Sequence, residues 1–279
     1  MKDLSNENVI HIVKDGVQYL QFRRLLEYSD ILVHAYSLGI DKNFRTARAK
    51  NAEPITKEEF KESNKDYADL CNAIEMNYID TVKPNQAHTK NVKKVDEHVN
   101  INKPDFNLKE YDLTDGLITN KSNILLVTTN ADCILLMFFD PVKKAIANVH
   151  SGWKGTLQRI SVETVEKMRK EYGSNSKDII CCICPSIRKC HFEVEKDVQT
   201  LFENEFKDLK LDEIIERKSK NKWLIDTVKI NEEILQKAGL KKENIIDCGI
   251  CSVCNSDLIH SYRVEKEKYG LSTAIIGLK

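Results

Sequence analysis

The chain carries no excess of charge of either sign: 43 Lys and Arg are matched by 43 Asp and Glu in 279 residues. A balanced surface exerts no long-range pull on nucleic acid or on an anionic membrane, so a small-molecule substrate is the expectation. No apolar run approaches the roughly 20 residues that cross a bilayer. The opening residues, Met1 to Asn8, lack the apolar core of a secretory signal. There is also no internal repeat and no low-complexity linker. These absences exclude a fibrous or repeat architecture and set the expectation of a cytoplasmic protein with neither a membrane nor a nucleic-acid partner. Without a secretory leader, the nine cysteines are expected to be thiols, buried hydrophobes or metal ligands rather than a disulfide framework. What is present, 41% hydrophobic and 31% charged residues, is the composition of an ordinary globular enzyme.

Helices and strands alternate along the chain. Thr56-Lys-Glu-Glu has the form of a capping box, and Phe60, Tyr67, Leu70, Cys71 and Ile74 follow it at helical spacing. A second helix is expected to start at Asp226 or Thr227, bury Ile230, Ile234 and Leu235, and stop at Gly239. Short apolar runs at 124–128, 134–139, 145–149, 179–183, 245–250 and 273–276 read as strands. Leu157, Ile160, Thr164, Val165 and Met168 return to helical spacing. Strands mixed with helices throughout predict one α/β or α+β domain over residues 1–279, with the part before about residue 80 the least informative.

The chemistry concentrates around Asp140-Pro141-Val142-Lys143. A hairpin with a two-residue turn over Pro141 and Val142 sets Asp140 opposite Lys143, Ile134 opposite Val149, and Cys133 opposite His150. Opposed side chains on one face have Cβ atoms roughly 5 Å apart. Such a Cys–His pair has three readings: a metal site with a further ligand, a thiolate–imidazolium nucleophile, or core packing. Small and polar neighbours (Asn130, Ala131, Asp132, Ser151, Gly152) favour a site over a core. Gln86-Ala87-His88, in a polar loop after Pro84, offers another imidazole. Ser151-Gly152-Trp153-Lys154-Gly155 is a glycine-containing turn into a helix, where exposed backbone N–H groups and a lysine suit an anion. Cys181-x-x-Cys184 and Cys251-x-x-Cys254 have the form of a four-thiolate zinc site, but their separation and apolar settings favour buried thiols.

Thr129-Asn-Ala-Asp-Cys133, Asp140-Pro141 and Asn148-Val-His-Ser-Gly-Trp-Lys-Gly155 together resemble the signature of the YfiH/laccase-domain family, also called multicopper polyphenol oxidase-like. Gln86-Ala-His88, Asp115-Gly-Leu-Ile-Thr119, Cys184-Pro-Ser-Ile187, Cys190-His-Phe-Glu-Val194 and Ser261-Tyr-Arg263 resemble further family elements, in order. The chain departs from the family at His34-Ala-Tyr-Ser-Leu-Gly39, near Asp66-Tyr67 and at Gly270-Leu271, where arginines are common; Arg45 and Arg48 lie near the first of these.

The resemblance implies a layered α-β-β-α sandwich with mixed sheets and a zinc site whose ligands map onto His88, Cys133 and His150. It implies purine nucleoside phosphorylase activity, accompanied by adenosine deaminase and methylthioadenosine phosphorylase activities, with purine nucleosides and phosphate as partners. On that view Asp132, Cys133 and His150 form the catalytic group, and Lys154 and Gly155 contact phosphate. The competing readings are a metal-free Cys–His hydrolase or deamidase, a peptidoglycan-editing factor and a zinc-stabilised interaction domain. Multicopper oxidation is disfavoured because it needs more clustered histidines than the seven present.

Overall fold

A computed structural model describes residues 2–45, 62, 64–96 and 111–279. The chain opens with β1 (Val9–Lys14) and β2 (Val17–Phe22), paired antiparallel around Asp15-Gly16. Both turn residues have positive φ, 53° and 78°, which is the backbone that a tight hairpin turn demands and that Asp-Gly supplies readily. Then come β3 (Leu32–Leu38), helix α1 (Lys65–Ala73), β4 (Thr81–Val82) and β5 (Val92–Lys94). Strands β6 (Gly116–Thr119), β7 (Leu125–Asn130), β8 (Ile134–Asp140) and β9 (Ala145–Ser151) follow, leading into α2 (Trp153–Leu157) and α3 (Ile160–Tyr172). The remainder runs through β10 (Ile180–Ile183), β11 (Glu193–Val194), α4 (Lys196–Glu205), β12 (Ile215–Ser219), β13 (Lys222–Ile225), α5 (Thr227–Lys237), β14 (Ile245–Asp247) and β15 (Ser272–Leu278).

Two mixed sheets dominate, ordered β1-β2-β3-β15-β7-β4 and β14-β10-β8-β9-β6-β5, with a small third sheet β11-β13-β12. Strand β8 shows how the layers arise. Leu135, Met137 and Phe139 point between the two sheets, where they meet Leu20, Tyr36, Leu126 and Ile276. Ile134, Leu136 and Phe138 point the other way, against Ile160, Val165 and Met168 of α3 and Val228 and Leu235 of α5. A strand apolar on both faces must be covered on both. The outer face of the first sheet is closed by Tyr67, Leu70 and Cys71 of α1, packed on Tyr19, Ala35, Val127 and Ile275. The order of layers is therefore helix, sheet, sheet, helix, an α+β sandwich. One polar residue clips the sheets together: the buried Asn148 amide donates to the carbonyls of Leu126 and Ala274, and its oxygen accepts from Thr128.

Most of the expected elements stand where their patterns put them. The Asp226 side chain caps α5 by accepting from the Lys229 N–H, and Gly239, at φ 99°, follows its end. Tyr67, Leu70 and Cys71 are buried on α1, whereas Thr56, Phe60 and Arg48 lie outside the described residues. The helix after His150 is broken in two at Arg159, which takes φ 57°. Among the described residues, no helix is long and apolar enough to cross a membrane.

The hairpin register differs from the expected one. Ile134 pairs with Ser151 and Leu135 with His150, so Cys133 does not face His150 directly. The cause is Asp140, whose carboxylate accepts from the N–H groups of Val142 and Lys143 and stabilises a four-residue turn that ends with Lys144 at φ 48°. Pro-Val does not suit a two-residue hairpin turn. The slip is of two residues, and side-chain direction alternates with period two. Cys133 and His150 thus remain on one face, diagonal rather than opposed.

Candidate metal centre

Three segments converge at one end of the sandwich. His150 lies in β9, Cys133 just before β8, and His88 in the loop after β4, and their ligand atoms all lie within 4.8 Å of one another. His88 Nε2 is 3.9 Å from Cys133 Sγ. The two imidazoles meet edge to face with ring centroids 4.9 Å apart. His150 is buried, Cys133 half-buried and His88 exposed, so the cluster opens to solvent on the His88 side.

Each member is held by groups that do not belong to the cluster. Gln86 donates to the Thr129 carbonyl and accepts the Thr129 N–H, which ties the His88 loop to the end of β7. The Asn130 amide donates to the carbonyls of Cys133 and Pro185, fixing the turn before β8. Asp115, immediately before β6, does the most. Its carboxylate accepts the N–H groups of Ala87, His88 and Thr89 and the Thr89 hydroxyl. It also lies 2.8 Å from His150 Nδ1. One buried carboxylate thereby shapes the His88 loop, where His88 itself takes φ 60°, and presents His150 with Nε2 toward Cys133. Metal-binding histidines commonly have such a carboxylate behind them, fixing the tautomer and raising the basicity of the ring.

The electrostatics follow from this packing. Burial pushes the Cys133 thiol up, but the His150 imidazolium and hydrogen bonds from both histidines outweigh it and bring the thiol down to about 6. Burial likewise works against a charged His150, yet Cys133 and Asp115 together raise it to about 9. Asp115 is favoured as the carboxylate down to about 2; burial opposes this, and His150 and Thr89 outweigh burial. The cluster is thus poised to present a thiolate, the form in which cysteine binds metal.

Two imidazoles and one thiolate form a donor set suited to zinc, with one position left open. Gly152 supplies a second indication. A Cβ there would lie 2.7 Å from His88 Cδ2 and 3.1 Å from Cys133 Sγ, so the absence of a side chain is what lets these ligands approach. The residues fit the metal.

The other expected site residues are arranged differently. Asp132, at φ 84°, turns its carboxylate away from Cys133, accepting from the Ser252 hydroxyl at 2.6 Å and the Arg263 N–H at 2.7 Å. Lys154 is exposed on the short helix α2, 5.5 Å from the Trp153 ring. Gly155 is buried, and a Cβ there would lie 3.4 Å from Ile160 Cγ2, 3.5 Å from the Thr89 carbonyl oxygen and 3.7 Å from that of His150. Asn43 bridges two of the family-departure positions: its N–H donates to Asp66 and its side-chain oxygen accepts the Leu271 N–H, while Arg45 stacks on the neighbouring Tyr269 at 4.7 Å. Asp115 is the principal residue that site reasoning from sequence passes over. Its signal lies in the Asp115–Thr119 element itself, an acidic residue opening a buried strand.

A fold with this ligand set defines a class. The model of the multi-copper polyphenol oxidoreductase laccase family matches residues 47–279, and the chain belongs to that family. The purine nucleoside phosphorylase YlmD of Bacillus subtilis is 34% identical over 166 residues, covering 60% of this chain and 59% of that protein. Human purine nucleoside phosphorylase LACC1 is 31% identical over 175 residues, covering 61% of this chain and 40% of LACC1. The matched region thus spans about three-fifths or less of these relatives' lengths. Among solved structures, YlmD from Geobacillus stearothermophilus superposes with a TM-score of 0.79 at 19% identity, covering 100% of both chains. The hypothetical protein YfiH of Bacillus licheniformis gives 0.79 at 23% identity, covering 96% of this chain and 99% of that one. At these identities the superpositions establish the fold.

Proposed function

We propose that this chain is a cytoplasmic, zinc-dependent purine nucleoside phosphorylase with accompanying adenosine deaminase and methylthioadenosine phosphorylase activities. The observation that carries the proposal is the convergence of His88, Cys133 and His150, with Asp115 behind His150, in a chain whose relatives bear the phosphorylase name. Zinc held by these three residues would supply Lewis acidity and lower the pKa of water at the open position.

The protein's own groups divide the remaining work. Asp115 keeps His150 in one tautomer and one orientation. The exposed face at His88 admits the nucleoside. In phosphorolysis the bond from ribose C1′ to the purine nitrogen breaks and a C1′–O bond to phosphate forms, so an anion must be held beside the sugar. Lys154 is the proposed cation for it, at the turn that follows directly from His150. Asp132 acts as a positioning residue, since both of its oxygens are engaged in holding the chain around Cys133.

The test is activity of the purified protein on inosine, adenosine and methylthioadenosine, with and without phosphate. Phosphate-dependent release of base supports the reading, and base release indifferent to phosphate rejects it. A second reading rests on the alignment of Asp115, His150 and Cys133, which is also that of a thiolate nucleophile with an oriented base. Alkylation of Cys133 distinguishes the two. A zinc ligand resists iodoacetamide until a chelator strips the metal, whereas a free nucleophile is labelled at once in fully active, untreated enzyme.

A further inference from the structure

A second group of soft ligands gathers away from the first. Cys190 and His191 lie between β10 and β11, and Cys251 and Cys254 lie in the turns after β14. The side-chain ligand atoms of all four fall within 4.8 Å of one another. His191 Nδ1 is 3.1 Å from Cys190 Sγ, 3.6 Å from Cys251 Sγ and 3.6 Å from Cys254 Sγ, and the sulfurs of Cys190 and Cys251 are 3.7 Å apart. Zinc bonds of about 2.3 Å to sulfur and 2.0–2.1 Å to nitrogen, arranged tetrahedrally, put ligand sulfurs about 3.8 Å apart and sulfur and nitrogen about 3.6 Å apart. Three of the four distances have the edge lengths of that tetrahedron. Hydrogen bonding gives no comparable reason for the grouping, because thiols are weak donors and weak acceptors.

We infer that Cys190, His191, Cys251 and Cys254 form a second zinc site, structural in kind. Three thiolates and an imidazole complete a tetrahedral shell and leave no open position for water or substrate. The pairing differs from the one the spacing invites. Cys181, on β10, and Cys184, just past its end, are buried in separate apolar clusters, and the partner of Cys251-x-x-Cys254 is the adjacent Cys190-His191.

The ligand segments are held in register by the protein itself. Ser252 N–H donates to the Ser186 carbonyl and Ser186 N–H to the Ile250 carbonyl. Arg188 forms a two-pronged ion pair with Asp247, and the Arg263 guanidinium donates to the carbonyls of His191 and Glu193. Both segments also hold Asp132: Ile187 N–H donates to its carbonyl and Ser252 to its carboxylate. An ion here cross-links the loop after β10 to the segment after β14, immediately behind the residue that precedes Cys133.

Metal analysis of the intact protein, purified under reducing conditions, is the direct test. The wild type is expected to hold about two zinc ions per chain, the double substitution Cys190→Ser with Cys254→Ser about one, and His88→Ala also about one, lost from the first centre instead. Unchanged metal content in the double variant overturns the assignment, whereas unchanged content in His88→Ala counts only against the first centre. If the double variant does not fold, alkylation of the wild type still decides. Protection of Cys190 and Cys254, both exposed, that disappears on chelation supports the site. Immediate labelling of both in the metal-replete protein, or a Cys190–Cys251 disulfide there, refutes it.

Discussion

The two cysteine–histidine clusters of this protein share ligand chemistry and differ in closure. At the first, two imidazoles and one thiolate leave a corner open, one ligand is exposed, and a buried carboxylate stands behind another. At the second, three thiols and one imidazole close a tetrahedron, and the nearby carboxylates of Asp247 and Asp132 accept from Arg188 and Ser252 rather than from a ligand. On the proposed function an open shell backed by Asp115 would serve substrate turnover, and a closed one would fasten two loops. The contrast teaches that ligand count and supporting groups, rather than the presence of Cys and His, separate a reactive centre from a structural one.

The most severe break in the contrast is His88→Ala. It removes one of three protein ligands at the open centre, so nucleoside cleavage is expected to fall to background while the closed site keeps its metal. Metal content and activity measured on the same preparation check both halves, and loss of both ions would mean the two sites are not independent. Asp115→Asn comes next. The amide leaves the ligands in place but puts an N–H₂ where four donors converge and removes the charge behind His150. Loss of a carboxylate that supports a ligating histidine weakens metal affinity by about 10–100-fold, measurable by competition with a chromogenic chelator. An affinity unchanged by Asp115→Asn would remove the carboxylate from the account.

Gly152→Ala is smaller and more selective. The added methyl would meet His88 Cδ2 at 2.7 Å, and overpacking of this kind costs about 1–3 kcal/mol when nothing can yield. His88 is exposed and its ring can swing aside, so the cost is expected in metal affinity rather than in melting temperature. A drop in melting temperature with affinity intact would show that the clearance serves packing alone. Lys154→Ala is expected to raise the phosphate concentration needed for half-maximal cleavage on the order of tenfold, the scale of one charge-assisted hydrogen bond, while adenosine deamination is unchanged. Equal loss of both activities would move Lys154 from the phosphate to a shared contact.

How far the sequence discloses all this depends on range. Helix α5 is legible to within a residue because Asp226 and Gly239 mark its ends locally. The strands around Cys133 and His150 are legible as runs, but their register depends on the side chain of Asp140 capping a longer turn, which hydrophobic pattern does not encode. His88, Cys133 and His150 are legible because small and polar neighbours set them apart from the core. Asp115 is not: its role exists only once β6 lies beside β9 and the 87–89 loop folds over it. The second cluster is hidden for a related reason. Apolar settings favour buried thiols for Cys181, Cys184, Cys251 and Cys254 over a four-thiolate site. The first three are buried, but Cys254 is exposed, because it lies in the turns after β14 rather than in a strand, and the Cys190-His191 dipeptide meets it and Cys251 there.

The smallest expected effect tests whether the two clusters communicate. Ser252 adjoins Cys251 and donates its hydroxyl at 2.6 Å to the buried Asp132, which adjoins Cys133. Ser252→Ala deletes that donor and leaves one carboxylate oxygen without its partner, at a cost of about 1–3 kcal/mol. The other oxygen keeps the Arg263 N–H, and the Ser252 backbone keeps its bond to Ser186, so the fold and both ligand sets survive. If the closed site braces the open one through Asp132, Ser252→Ala lowers kcat several-fold with metal content unchanged, because Cys133 is held less firmly while no ligand is lost. A variant that is less stable yet fully active would confine the closed site to holding loops together. Comparing Ser252→Ala with Cys190→Ser/Cys254→Ser sharpens the result: equal losses in kcat mean that the path through Asp132 carries the whole influence of the second site on the first.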